Sequence, residues 1–175
     1  MNEANVRREL YRMLRYRYGL WAHHIPDVKG AKRPGIPDLI VMSPHGPGVY
    51  IEVKKADFRA ETAFAFNVIE DSQRDFLSNW ETARPGGSYL AIGEVNRRGR
   101  RTYVIPWLLW LDIESKLSVV QNSLPFIAGP GYSKELQAHK LDFRLLEPFA
   151  CSGIGDKMKL HPDLEHLWRI GDVIE

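Results

Sequence analysis

The chain has 175 residues, 44% of them hydrophobic, and a formal net charge of +2 at pH 7. This length and apolar content are sufficient for a domain with a buried core. The single cysteine excludes an internal disulfide framework and is typical of a reducing compartment. No segment has the hydropathy of a signal peptide or a membrane span, so we expect a cytoplasmic protein without a membrane partner.

The charges are unevenly distributed along the chain. Residues 1–60 contain eleven Lys and Arg against six Asp and Glu, whereas the remaining residues contain thirteen against sixteen. A basic N-terminal part of the chain favours a polyanionic partner such as nucleic acid.

Residues 3–18 predict an amphipathic helix. Val6, Leu10 and Leu14 recur at a spacing of four residues and form one apolar stripe, and Gly19 is a typical C-terminal cap. The sequence therefore predicts a first helix that packs one face against the core.

A basic loop follows a short strand that we predict at residues 20–25. The loop contains Lys29, Lys32 and Arg33. These side chains are candidate contacts to a DNA backbone, and a solvated loop without a ligand is an equally good interpretation.

Two predicted strands, at residues 39–42 and 49–55, carry the main candidate site, and a segment rich in Gly and Pro separates them. Since side chains alternate along a strand, Glu52 and Lys54 lie on the same face of a strand that is otherwise apolar. Burial of such groups is costly unless they are paired or bind a cation. Their presence therefore indicates a functional site.

Asp38 supplies a second carboxylate at the start of the first of these strands, and a hairpin easily brings it near Glu52. Two converging carboxylates suit Mg²⁺ or Mn²⁺, and a neighbouring Lys54 can hold or deprotonate an attacking water. The sequence thus predicts metal-assisted hydrolysis of a phosphodiester. The alternative is a structural Glu–Lys pair beside an N-capping Asp.

A second helix is predicted to begin at Ser72, which together with Asp75 resembles a capping box. Gln73 falls on the same stripe as Phe76, Leu77 and Trp80, so its amide must find partners inside the protein.

Two further strands, at residues 88–94 and 102–105, are predicted to form a hairpin with a basic tip. The tip contains Arg97, Arg98, Arg100 and Arg101. Arginines around a glycine suit phosphate binding, although charged tips are also common in hairpins that bind nothing.

The last third of the chain is predicted to begin with a helix at Trp107, whose outer face becomes a homodimer surface if it stays exposed. Residues 141–149 predict another strand and residues 161–168 a short helix, and we expect Cys151 to serve in packing.

Three segments together resemble the signature of the PD-(D/E)xK nuclease superfamily, and in particular its VRR-NUC and Holliday-junction-resolvase-like branch. They are GIPDLI at residues 35–40, YIEVK at residues 50–54, and Ser72-Gln73. The resemblance implies an α/β fold with a three-layer α/β/α restriction-endonuclease-like core and a mixed β-sheet. That core would occupy residues 1–105, and residues 106–175 would form a C-terminal extension packed on the same domain.

The same resemblance implies a role for each site residue. Asp38 and Glu52, with the Val53 carbonyl, would hold the Mg²⁺ or Mn²⁺ ion. Lys54 would position the nucleophilic water, and Gln73 would orient it.

A glutamate on the first helix completes the metal site in the resembled family. Glu3 and Glu9 both flank the apolar stripe, so helical geometry does not choose between them. The family places this glutamate in the first turn with an aliphatic residue three positions later, which matches Glu3 and Val6.

We therefore expect a metal-dependent DNA endonuclease, selective for branched, flap or junction DNA in repair, recombination or phage DNA processing. Lys55 is a further candidate DNA contact, in addition to the basic loop at residues 29–33 and the hairpin tip at residues 97–101. The alternatives are a non-catalytic DNA-binding module with a nuclease fold and a sequence-specific restriction-type endonuclease.

Overall fold

The computed structural model describes residues 2–25, 35–43, 46–57, 68–96, 99–122, 143–153, 157–162 and 164. These residues form an α/β protein with a five-stranded mixed sheet and three α-helices. The helices are α1 (Glu3–Arg12), α2 (Asp71–Ala83) and α3 (Trp107–Asn122). The strands are β1 (Trp21–His24), β2 (Leu39–Ser43), β3 (Gly46–Asp57), β4 (Ser88–Asn96) and β5 (Gly99–Pro106).

The strands lie in the order β1-β2-β3-β4-β5, which is also their order in the chain. Neighbouring strands are antiparallel except for β3 and β4, which are parallel. A parallel pair needs a crossover connection, and α2 lies in the segment that makes it. The start of α2 is thereby brought back to the sheet beside β3.

Apolar side chains of β3 and β4 alternate between two separate hydrophobic clusters, as the period of two in a strand requires. The first cluster contains Ile51, Val53, Tyr89 and Ala91 together with residues of α1. The second contains Leu90 and Ile92 together with residues of α2 and α3. The sheet is therefore covered by α1 on one face and by α2 and α3 on the other.

The first helix begins at Glu3 as the sequence predicts, but its α-helical part ends at Arg12 rather than continuing to residue 18. Asn2 caps α1 by accepting a hydrogen bond from the Asn5 backbone N–H at 2.9 Å. A π-helical turn, Met13–Arg17, continues the helix, and Gly19 then takes a φ of +63° that favours glycine.

The start of α2 differs from the prediction. The helix begins at Asp71, with Glu70 rather than Ser72 at the N-cap. Gln73 reaches back and its Oε1 accepts a hydrogen bond from the Glu70 backbone N–H at 3.1 Å. The capping side chain is thus the same Gln73 that the sequence places on the core-facing stripe.

The strand predicted at residues 141–149 is wrong, because Phe143–Phe149 is a 3₁₀ helix. Leu146 is fully buried, whereas Glu147 and Pro148 are exposed, and a proline cannot donate to a strand ladder. The helix predicted at residues 161–168 lies largely outside the described residues.

Described parts of the last third of the chain pack on the sheet. Trp107 and Trp110 of α3 are fully buried, and Arg74 of α2 forms two hydrogen bonds with Glu114 of α3, at 2.6 and 2.7 Å. Leu108 on the outer face of α3 is 60% exposed. Among the described residues, no helix combines the length and the apolar character needed to cross a membrane.

Candidate active site

A glycine-dependent turn brings Asp38 to the start of β2. Gly35 has a φ of +91°, and a Cβ atom at this position would lie 2.2 Å from the Ser72 carbonyl oxygen. Only glycine tolerates both the backbone angle and this close approach. The segment before β2 therefore lies directly against the start of α2.

The register of the hairpin between β2 and β3 places Asp38 next to Glu52. The two strands are antiparallel and Leu39 pairs with Ile51. Asp38, one residue before Leu39, therefore lies opposite Glu52, one residue after Ile51. Oδ2 of Asp38 accepts a hydrogen bond from the Val53 backbone N–H at 2.9 Å. The two predicted carboxylates thus meet across one pair of strands.

The side chain of Glu52 is almost completely buried, with 1% of its surface exposed. Its Oε1 accepts hydrogen bonds from Lys54 Nζ at 2.8 Å and from Gln73 Nε2 at 2.7 Å. Its Oε2 is also buried, and no described residue donates a hydrogen bond to it. One oxygen of this carboxylate is therefore held in place while the other is left available.

The pKa of Glu52 is raised from 4.5 to about 7. Burial is the largest cause, followed by the negative charge of Asp38, and Glu3 adds a smaller effect of the same sign. The ammonium group of Lys54 acts in the opposite direction through its charge and its hydrogen bond. The site therefore has an excess of negative charge that a cation would relieve.

The two candidate glutamates of α1 have different surroundings. The charge of Glu3, which is exposed, acts on Glu52. Glu9 instead forms an ion pair of 3.1 Å with Arg100 of β5. Glu3 is the helix carboxylate that lies within electrostatic reach of the site.

An arginine that was not selected from the sequence, Arg7, binds one of the two site carboxylates. Nη1 of Arg7 donates a 2.6 Å hydrogen bond to Asp38 Oδ1. Arg7 lies four positions after Glu3 on α1, the spacing at which two side chains share a helix face. That spacing was the available signal, but the sequence alone does not show that this face is turned towards β2.

A pocket of about 250 Å³ lies beside Arg7. It is lined by Ala4, Arg7, Arg8, Tyr11 and His24. Its wall is mostly carbon, and Arg7 and Arg8 are the two arginines among the residues that line it.

The described residues contain no group of three or more His, Cys, Asp and Glu side chains arranged as ligands of one metal ion. Asp38 and Glu52 nevertheless present two carboxylates beside each other, and the buried Oε2 of Glu52 has no hydrogen-bond donor within the described ranges. Such a pair suits Mg²⁺ or Mn²⁺, which usually bind one or two carboxylates and keep several waters. The donor set fits a divalent cation that completes its shell with water and substrate.

Only three of the eight predicted DNA contacts lie among the described residues. Lys55 is exposed on β3, Arg100 pairs with Glu9, and Arg101 pairs with Glu147. Arg100 and Arg101 belong to β5 rather than to the hairpin tip. The remaining candidates lie outside the described residues: Lys29, Lys32, Arg33, Arg97 and Arg98.

Comparison of the chain with protein-family models, curated protein sequences and solved structures found no match in any of the three.

Proposed function

We propose that this protein is a Mg²⁺- or Mn²⁺-dependent DNA endonuclease. The observation that carries the proposal is that Lys54 and Gln73 both bind the buried carboxylate of Glu52. Asp38, held at the start of β2 by the Val53 backbone N–H, adds a second negative charge beside it. A Glu–Lys pair that served stability alone would not need a second carboxylate beside it, because the added negative charge is unfavourable.

Asp38, Glu52 and the Val53 carbonyl would hold the cation, and Glu3 would complete the site directly or through water. A divalent cation in such a site lowers the pKa of a bound water and stabilises charge on a phosphate oxygen. The unpartnered Oε2 of Glu52 supports this assignment, since it is a buried acceptor for which the described residues offer no donor.

Lys54 and Gln73 both bind Oε1 of this carboxylate, and we assign them different roles. Lys54 is 8% exposed, and its ammonium would hold the attacking water or the phosphate charge. Gln73 binds Glu52 through Nε2 and the α2 N-terminus through Oε1, so it fixes the carboxylate relative to the helix. We therefore assign Gln73 a positioning role.

The arrangement of helices on both faces of a mixed sheet supports a finer proposal for the fold. We propose that residues 1–105 form a three-layer α/β/α core of the restriction-endonuclease type and that residues 106–175 extend it. The parallel pair β3 and β4, with α2 in its crossover, is consistent with this assignment.

The test is cleavage of labelled single-stranded, duplex, flap and four-way-junction DNA with Mn²⁺, Mg²⁺ or EDTA. We expect metal-dependent cleavage that Lys54→Met reduces at least about a hundredfold, since methionine keeps the buried stem but removes the charge. Lys157→Met is the matched control, because Lys157 is exposed and distant in sequence from the site. Bound but uncleaved DNA in every metal would contradict the proposal and favour a binding module.

A further inference from the structure

Arg7 is paired with one of the two residues to which we assign the metal. Its Nη1 lies 2.6 Å from Asp38 Oδ1, and each of the two side chains is 18% exposed. The other oxygen of Asp38 already accepts the Val53 backbone N–H. Both oxygens of this carboxylate are thus engaged within the protein, whereas Oε2 of Glu52 accepts no hydrogen bond from the residues that the structure describes.

A guanidinium and a divalent cation on the same carboxylate repel each other. Binding of the cation at Asp38 therefore either weakens the contact with Arg7 or is itself weakened by it. An arginine that leaves Asp38 needs another anion, because a partly buried guanidinium without a partner is costly.

The structure offers such an alternative position at a pocket that Arg7 itself lines. The same side chain lines the pocket of about 250 Å³, together with Arg8, Tyr11 and His24. A phosphate of the DNA backbone is an anion that an arginine binds with two parallel hydrogen bonds, and it arrives only with the substrate.

We propose that Arg7 is an exchangeable counterion of the site. In the metal-free protein it neutralises Asp38, and in the complex with cation and DNA its guanidinium contacts a backbone phosphate at the adjacent pocket. This inference rests on the proposed nuclease function. It adds a positioning residue that prevents two carboxylates from facing each other without a cation and that links metal binding to the presence of substrate.

The experiment measures two quantities for the parent protein, Arg7→Ala, Arg7→Lys and Arg12→Ala. The first quantity is Mn²⁺ affinity by calorimetry without DNA. The second is the single-turnover rate of DNA cleavage at saturating Mn²⁺. Arg12→Ala is the matched control, since it removes the same charge from an exposed position of α1 that does not line the pocket.

We expect Arg7→Ala to bind Mn²⁺ about tenfold more tightly and to cleave DNA about tenfold more slowly. Arg12→Ala changes neither quantity, and Arg7→Lys, which keeps the charge, stays near the parent in Mn²⁺ affinity. A residue that merely supports Asp38 would give a different pattern, because its loss would weaken Mn²⁺ binding and cleavage together.

Two results would overturn the inference in distinguishable ways. If the parent binds Mn²⁺ and cleaves DNA but Arg7→Ala binds Mn²⁺ no more tightly, the counterion role fails and the nuclease remains. If neither the parent nor Arg7→Ala binds Mn²⁺, both proposals fail. Should Arg7→Ala not fold, an Arg7→Lys protein with an Mn²⁺ affinity far from that of the parent would overturn the counterion role.

Discussion

At the scale of single residues, the candidate chemistry depends on Glu52. Its two oxygens have different environments, since Oε1 accepts from Lys54 and Gln73 while Oε2 has no donor among the described residues. The carboxylate is therefore held in one orientation, although one of its oxygens receives no hydrogen bond from the described residues. A group in this state is costly for stability and suited to binding a cation.

The raised pKa of Glu52 predicts how stability depends on pH in the absence of metal. Because its pKa is about 7 in the folded protein and 4.5 when unperturbed, as in the unfolded chain, the folded state binds more protons between these pH values. The contribution of Glu52 to the free energy of unfolding is therefore most stabilising below pH 4.5, and this stabilisation is lost as the pH rises through 7. The total change is about 3 kcal/mol, at about 1.4 kcal/mol for each pH unit between the two pKa values.

Urea denaturation in EDTA from pH 4.5 to 8, for the parent and Glu52→Gln, measures this contribution. We expect the stability of Glu52→Gln relative to the parent to increase with pH across this range. Equal pH dependence in the two proteins would show that Glu52 is not the group responsible.

At the scale of elements, the site depends on the contact between the turn before β2 and the start of α2. The sequence predicts the strands β2 to β5 and both site carboxylates because their apolar runs and turn residues are clear. It misplaces the start of α2, because Ser72 with Asp75 fits the usual capping pattern, whereas Glu70, the actual N-cap, is not one of the residues preferred there. It also misses the pairing of Arg7 with Asp38, because no local pattern shows which α1 face is turned to β2.

Gly35→Ala tests this contact. The substitution places a Cβ 2.2 Å from the Ser72 carbonyl oxygen at a φ of +91°, so the turn must move and carry Asp38 with it. We expect a loss of stability well above the 1–2 kcal/mol that is typical of a positive φ alone, together with reduced cleavage. The measurements are urea denaturation and the cleavage rate.

Gly19→Ala is the control, because Gly19 also has a positive φ, of +63°, but a Cβ there meets no atom within 4 Å. An equal loss of stability in the two variants would mean that the approach to Ser72 is unimportant.

At the scale of the whole molecule, the first 60 residues carry an excess of basic side chains and also contain the site carboxylates Asp38 and Glu52. The sequence predicts this combination from composition, because charge counts need no structure. The 3₁₀ helix at Phe143–Phe149 was not predicted, since an apolar run of this length is compatible with a strand until Pro148 is considered.

The uneven charge predicts that DNA binding depends on salt. The logarithm of the affinity should fall linearly with the logarithm of the salt concentration. Replacing Lys29, Lys32 and Arg33 together by Ala should reduce that slope by up to about 0.9 for each phosphate that the variant no longer neutralises. Fluorescence anisotropy with labelled duplex DNA in EDTA measures it.

Lys157→Ala combined with Lys159→Ala removes charge from exposed positions that we do not assign to DNA and should leave the slope near that of the parent. An unchanged slope in the triple variant would exclude the 26–34 segment as a site of phosphate binding.

The most direct test of the proposed nuclease is single-turnover cleavage by Glu52→Gln across a series of Mn²⁺ concentrations. Glu94→Gln is the control, since Glu94 is also buried but accepts its hydrogen bond from Tyr103 on β5. We predict that Glu52→Gln lowers the rate at saturating Mn²⁺ at least about a hundredfold, whereas Glu94→Gln cleaves like the parent. Cleavage by Glu52→Gln at the parent rate, with the same Mn²⁺ dependence, would contradict the assignment of this site.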